Sequence, residues 1–395
     1  MIAENEQASF HPRQKREERP ARPAQWILGG FLIALVPSIF FFAQLARPGG
    51  LLNLLEFGTQ FEAVTIPSVA ALHPPRNFDH GHDGQWYAQL AMDPLLRDER
   101  TVNAIEYVEY RGRRIGLPVL ARALALGDPA RTLNILASFN YVFLLVLLAS
   151  VIVTLRPAGA TDWAAVAGAV LTTGAMDSLH RALTDVPVAT LTFIAVMLPL
   201  AATRVGLLAS TVLMRETALI SAIPCVLSWP LRDWRNLIRL AAILVPIGLW
   251  STYLLLHLGG LRENPGGNFQ LPGLAIIHRV GLAWTEFIAL PNDRRALLLL
   301  TPFCLLVQAW YFWRYPLRNS ALWWSGIGYT ALLLILGSQP WSGSISTPRV
   351  VLPMTVAFNV LLGLHRPKTF WFWFVAGNIG LLWGLRKLTI DLGLI

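Results

Sequence analysis

Residues 79–94, DHGHDGQWYAQLAMDP, gather Asp79, His80, His82, Asp83 and Asp93 in one short stretch and thread Trp86 and Tyr87 between them. The chain as a whole is 54% hydrophobic and 14% charged, so the cluster stands apart from its surroundings. A carboxylate here could take a proton from a hydroxyl, and such a general base must be held within hydrogen-bond reach of its substrate. Asp83 is the better placed candidate, because a helix is expected to begin near Gly84 and to hold it; Asp79 is the second. His80 and His82, with Asp79 or Asp83, could also hold a divalent metal ion, although their spacing matches no zinc signature. Both acids equally suit the plain task of starting a helix.

Four other places set ionisable residues against apolar sequence: EYRGRRIGLP (109–118), HRALTD (180–185), MRE (214–216) and PRVVLP (348–353). Arg111, Arg114, Arg215 and Arg349 are candidates for holding a phosphate, since the planar guanidinium fork matches phosphate oxygens. Glu216 and Asp185 accompany them, and His82, Trp86 and Tyr87 could contact a sugar or an acceptor. Simpler readings stand beside these. Arg111, Arg113 and Arg114 also suit anionic lipid head groups, Arg215 and Glu216 could neutralise each other, and Asp185 could merely end a helix.

The elements that carry these residues are membrane helices. Runs such as WILGGFLIALVPSIFFFAQLA (26–46) and TLNILASFNYVFLLVLLASVIVTL (132–155) exceed the roughly 20 apolar residues needed to cross a bilayer. The expected architecture is all-α, a polytopic bundle of about eleven spans. Residues 1–25 read as a disordered cytoplasmic tail, and 26–395 as a single transmembrane domain whose first external loop, 47–130, holds the acidic motif. Trp163 to about Met176 is expected as one span. The segment VGLLASTVLM (205–214) is too short to cross alone and is expected to end in a protein-lined cavity. The net charge of +9 is dispersed at the ends of apolar runs, where it orients helices, and the pattern argues against nucleic acid as a partner. Cys225 and Cys304 lie inside apolar runs and read as small buried hydrophobes. With basic loops assigned to the cytoplasm, all five polar places fall on the external face.

This ordered series resembles the GT-C superfamily of membrane glycosyltransferases: an acidic motif in the first external loop before a helix carrying QLA, then Arg-Ile-x-x-Pro, Thr-Asp at the next external turn, Arg-Glu on a short span and a late Arg-x-x-x-Pro. GHDGQWYAQLAMDP followed by YRGRRIGLPVLA is similar to a group of bacterial membrane proteins linked to cell-surface glycopolymer formation. The resemblance implies a sugar donor on polyprenyl phosphate, a glycan or lipid acceptor, surrounding membrane lipids, and a site facing outward from the bacterial plasma membrane. It also implies that Asp83 serves as base, or as an acceptor or metal contact. Several relatives have an adjacent acidic pair, whereas here Gly84 and Gln85 follow Asp83, which leaves the division of labour with Asp79 open. A transporter or flippase for a lipid-linked sugar and a non-catalytic component of a polysaccharide assembly complex are the alternatives. A transporter is expected to show paired repeats or ionisable residues at mid-span, and neither is evident.

Overall fold

The computed structural model describes residues 23–198, 201–227, 234–259, 267–289, 293–342 and 346–380. The tail expected at 1–25 lies almost wholly outside these residues, as do parts of the connections after Leu258 and Ser342. The described chain is mostly helical and contains no strands, only two isolated bridges, Gly58 with Phe78 and Phe269 with Leu336.

Among the described residues, three helices are long and apolar enough to cross a membrane: Ala24–Ala46, Pro129–Leu155 and Trp234–His257. Local chemistry sets the ends of the second. The Asp128 side chain accepts from the Arg131 backbone N–H at 2.7 Å, Pro129 fits the first helical position, and Arg156 ends the helix in a left-handed conformation. The apolar surfaces of these helices face outward. Only 17% and 11% of the most apolar windows of the first and third are buried inside the protein, against 44% for the second. Leu249, Leu256, Ile27 and Phe31 stand exposed on them. So much continuous apolar surface requires a lipid-like covering.

The centre of the bundle is Leu352–His365, buried along nearly its whole length between Ala160–Val170 and Ala321–Ile335. Amides lock it there. Asn359 donates to the Gly168 carbonyl at 3.0 Å and exchanges hydrogen bonds with Asn378 at 2.9 Å, while Thr355 donates to Gln308 at 2.9 Å. Each of these buried polar groups is thereby matched, which an apolar interior demands.

One end of the bundle joins Trp26 to the Pro157 carbonyl, Asp162 to Arg366, and the Tyr315 ring to His365. The opposite end is built by the long connection between the first two long helices, which folds into short helices rather than running as an open loop. Asp83–Met92 packs against Gly116–Leu124 and against Pro129–Leu155. Trp250, Tyr253 and His257 clasp this connection through the carbonyls of Gly112, Leu95 and Leu96 at 2.8, 2.6 and 2.7 Å.

The span expected from Trp163 to Met176 is instead two helices, Ala160–Val170 and Thr173–His180. The break falls at Leu171 and Thr172, where the Thr172 hydroxyl accepts from the Ala175 N–H at 3.0 Å and starts the second helix. Side-chain capping of this kind competes with helix continuation. It is the second helix that delivers Asp177 to the charged end.

Candidate functional site

The site begins with two backbone segments pressed together. The His82 N–H donates to the Glu56 carbonyl at 3.0 Å, the Gly58 N–H to the Gln85 side chain at 3.0 Å, and Gln85 in turn to the His80 carbonyl at 2.9 Å. Gly81 has φ of +65°, and a Cβ there would lie 2.5 Å from the Glu56 carbonyl oxygen, so glycine is required twice over. At Gly84 a Cβ would sit 2.7 Å from the Arg181 carbonyl oxygen. This close approach lets residues 56, 82–84 and 180–181 share one small volume.

Glu56 is the hub of that volume. Its side chain is 2% exposed and its backbone is left-handed at φ 46°. One carboxylate oxygen lies 2.9 Å from His180 Nδ1; the other lies 3.3 Å from both His82 Nε2 and Arg181 Nε. From Arg181 the charges alternate outward. Arg181 meets Asp177 at 3.3 Å, Asp177 meets Arg349 at 3.3 Å, Arg349 reaches Asp185 at 3.9 Å, and Asp185 pairs closely with Arg215.

Asp83 occupies the first position of its helix, with His82 as the capping residue. Arg111 points its fork at one Asp83 oxygen, from Nε at 3.3 Å and a terminal nitrogen at 3.2 Å, and pairs with Glu106 at 3.0 Å. Its guanidinium also lies 5.2 Å from the centre of the Trp86 ring, a cation–π distance. Burial would raise the Asp83 pKa, but Arg111, Arg349 and Arg114 outweigh it and hold the carboxyl at about 2. His82 moves in the direction opposite to that of a charged partner. Burial lowers its pKa, with Arg181 and Arg349 adding to the effect, and Glu56 offsets this only in part. The net shift favours the uncharged imidazole.

Arg114 completes the arrangement, donating to the Tyr87 hydroxyl at 3.1 Å and to Tyr110, and reaching Glu216 at 3.5 Å. Trp86 and Tyr87 are buried and are used to hold Arg111 and Arg114, so neither presents an open ring face for a sugar. Asp79 does not join the cluster: it is exposed, and only its backbone carbonyl is engaged, by Gln60. Among the described residues no three His, Cys, Asp or Glu side chains are arranged to hold a metal ion.

Five arginines (111, 114, 181, 215 and 349) and six carboxylates (56, 83, 106, 177, 185 and 216) thus meet at one end of an apolar bundle. Arg215 Nε, Glu216 Oε1 and Trp341 Nε1 are buried there or close by without a hydrogen-bond partner. Buried ionic networks of this kind contribute little to stability compared with apolar packing, and unsatisfied buried donors ask for an explanation. Of the site, sequence reasoning missed Glu56, Asp177, His180 and Arg181. The signal for Glu56 was a single acid inside LLNLLEFG (51–58); the other three lay in or beside a stretch already singled out.

Compared with protein-family models, with curated proteins and with solved structures, the chain matches none.

Proposed function

We propose that this chain is a GT-C-type membrane glycosyltransferase of about eleven spans that moves a sugar from polyprenyl phosphate to a glycan or lipid acceptor at the outer face of the bacterial plasma membrane. The observation that carries this reading is the gathering of arginines from separate segments at one end of the bundle, with Arg111 on Asp83 at the start of one helix, Arg215 on Asp185 at the start of another, and the Arg215 Nε left unpartnered. Loss of a lipid phosphate from an anomeric carbon places negative charge on the leaving oxygens, and fixed guanidinium donors stabilise that charge.

Asp83 is the base in this reading. While Arg111 pairs with it, its proton affinity is low. The donor phosphate competes for the same guanidinium fork, and a carboxylate released from Arg111 in a partly buried place becomes a stronger base. The acceptor hydroxyl is then deprotonated as the anomeric centre develops positive charge. The test uses full-length protein in proteoliposomes with a panel of polyprenyl-phosphate hexoses and pentoses labelled in the sugar. Asp83→Asn should lower release or transfer of label by about 10²-fold, as for a lost general base, with folding checked by thermal melting. Wild-type turnover by a well-folded Asp83→Asn protein removes the base assignment and favours the transporter or assembly-component readings.

A further inference from the structure

Among the described residues two arginines are buried to nine-tenths or more, Arg114 at 6% exposure and Arg279 at 9%. Arg114 donates to Tyr87 and Tyr110 and meets Glu216, whereas Arg279 has no hydrogen-bond or ion-pair partner among the described residues. Its guanidinium nitrogens are not sealed, so the burial falls on the carbon stem and the charged head still reaches the surface. A cation in an apolar bundle without a counter-charge is costly. Its place in the fold shows where that counter-charge comes from. Gly273, at φ +79°, turns the chain into the helix Leu274–Ala289, and its N–H donates to the Leu334 carbonyl at 2.7 Å. The Gln270 N–H donates to the Ile335 carbonyl at 3.0 Å and the Gly337 N–H to the Asn268 carbonyl at 2.7 Å, which clamps the turn. The helix packs on Asp293–Arg314 and Ser338–Trp341 and buries Ala275, Ile276, Arg279 and Ala283. Side chains on a helix lean toward its N-terminus, so the Arg279 stem runs past the small Ala275 toward the Gly273 turn, about 9 Å along the axis. The Thr347 hydroxyl ties the neighbouring Ser346–Val350 to the Pro340 carbonyl at 2.9 Å, so this turn lies at the same end of the bundle as Arg349. Beside it Leu271, Ile277 and Trp284 stand exposed.

We propose that Arg279 binds the phosphate of an anionic phospholipid from the surrounding bilayer, at a site apart from the charged cluster, to which the helix Leu274–Ala289 contributes no residue. The occupant follows from two features that lie side by side. An unpaired guanidinium fork matches the oxygens of a phosphate, and the exposed apolar residues of the same helix and turn give acyl chains a surface next to it. A free anion meets the first requirement and not the second. The bound lipid supplies the counter-charge that the described chain lacks, so the stability of the protein becomes dependent on anionic lipid. The inference needs the chain to lie in a bilayer and does not need it to transfer sugar, so it stands or falls apart from the glycosyl-transfer reading.

The experiment is native mass spectrometry and thermal unfolding of full-length protein, stripped of lipid in neutral detergent and titrated with phosphatidylglycerol, with phosphatidylcholine of the same chains, or with inorganic phosphate. The wild type should hold phosphatidylglycerol about five- to tenfold more tightly than phosphatidylcholine, the effect of one charge-assisted contact near a membrane surface, and its unfolding midpoint should rise with phosphatidylglycerol alone. Arg279→Gln should lower the phosphatidylglycerol affinity by that factor and leave the phosphatidylcholine affinity unchanged. Arg279→Lys keeps the charge but loses the fork, and should retain part of the preference. Arg279→Met removes an unpaired buried charge and keeps an apolar stem, which guards against misfolding: it should melt no lower than the wild type in neutral detergent and should lose the rise with phosphatidylglycerol. Equal affinity of the wild type for the two lipids, or an Arg279→Gln protein that keeps the preference, overturns the proposal. An Arg279→Met protein that melts well below the wild type before any lipid is added does so too, because Arg279 then has its partner within the chain. Inorganic phosphate that raises the midpoint as far as phosphatidylglycerol does would make this a site for a free anion and overturn the lipid assignment.

Discussion

Asp83 and Glu56 are both acids beside arginine, but they face different tasks because one is a third exposed and the other is sealed. Side-chain exposure is 34% for Asp83 and 2% for Glu56. Arg111 should be the largest of the cations that hold Asp83 near pKa 2, with Arg349 and Arg114 adding to it against the opposite push of burial. In Arg111→Gln the Asp83 carboxyl should therefore titrate higher than in the wild type, as followed by carbon-13 NMR of labelled aspartate; an unchanged midpoint would show that Arg111 is not a cause. The linkage has a definite sign. A depressed pKa stabilises the folded protein above the unfolded-state value of about 3.9, and that contribution disappears as pH falls through about 2. The stability gap between wild type and Asp83→Asn should accordingly close over that acidic window. Asp83 and the arginines were legible in the sequence because charges stand out against apolar runs. Glu56 was not, since its role comes from contact with residues 180 and 181, and a one-dimensional pattern holds no record of which distant segments meet.

At the scale of elements, the acidic helix is set by what presses on its first turn. Gly84→Ala would drive a Cβ to 2.7 Å from the Arg181 carbonyl oxygen and 2.9 Å from that of Leu55, both backbone atoms that cannot swing aside. A loss of roughly 1–3 kcal/mol is expected from such overpacking. It should appear as a lowered midpoint in detergent thermal unfolding, and a Gly84→Ala protein as stable as wild type would show that these segments are not in close contact. The helix Trp234–His257 acts on the same assembly from outside, with Trp250, Tyr253 and His257 stacked in series at 5.2 and 5.3 Å. Trp250→Phe removes the hydrogen bond to the Gly112 carbonyl while keeping an aromatic ring. Loss of about 0.5–1.5 kcal/mol should loosen the turn between Arg111 and Arg114, seen as faster amide exchange over residues 107–114. The apolar runs made most of these helices readable from sequence. The break at Leu171 and Thr172 was hidden because a hydroxyl cap inside an apolar stretch leaves the hydrophobic pattern unchanged.

For the whole molecule, the separation of chemistry is axial. The charged cluster occupies one end, the contacts of Trp26 with Pro157 and Asp162 with Arg366 occupy the other, and the apolar flanks between them call for lipid. The proposed orientation puts the charged end outside, because the basic segments RDWRNLIR (232–239), RYPLR (314–318) and HRPK (365–368) belong on the cytoplasmic side. Ser342 and Asn319 are both exposed and report on opposite ends. Ser342 follows the short helix Ser338–Trp341, which leads to Arg349, and Asn319 precedes the Ser320 cap of Ala321–Ile335, whose indole Trp323 bonds back to Phe312. In a cysteine-free background, Ser342→Cys should react with a membrane-impermeant thiol reagent in intact cells, while Asn319→Cys should react only after permeabilisation. The paired design guards against a leaky membrane, which would label both, and against a buried site, which would label neither until unfolding. The reverse pattern would turn the charged end toward the cytoplasm, where a nucleotide-activated donor is as accessible as a lipid-linked one, and the argument for a polyprenyl phosphate would lose its geometric basis.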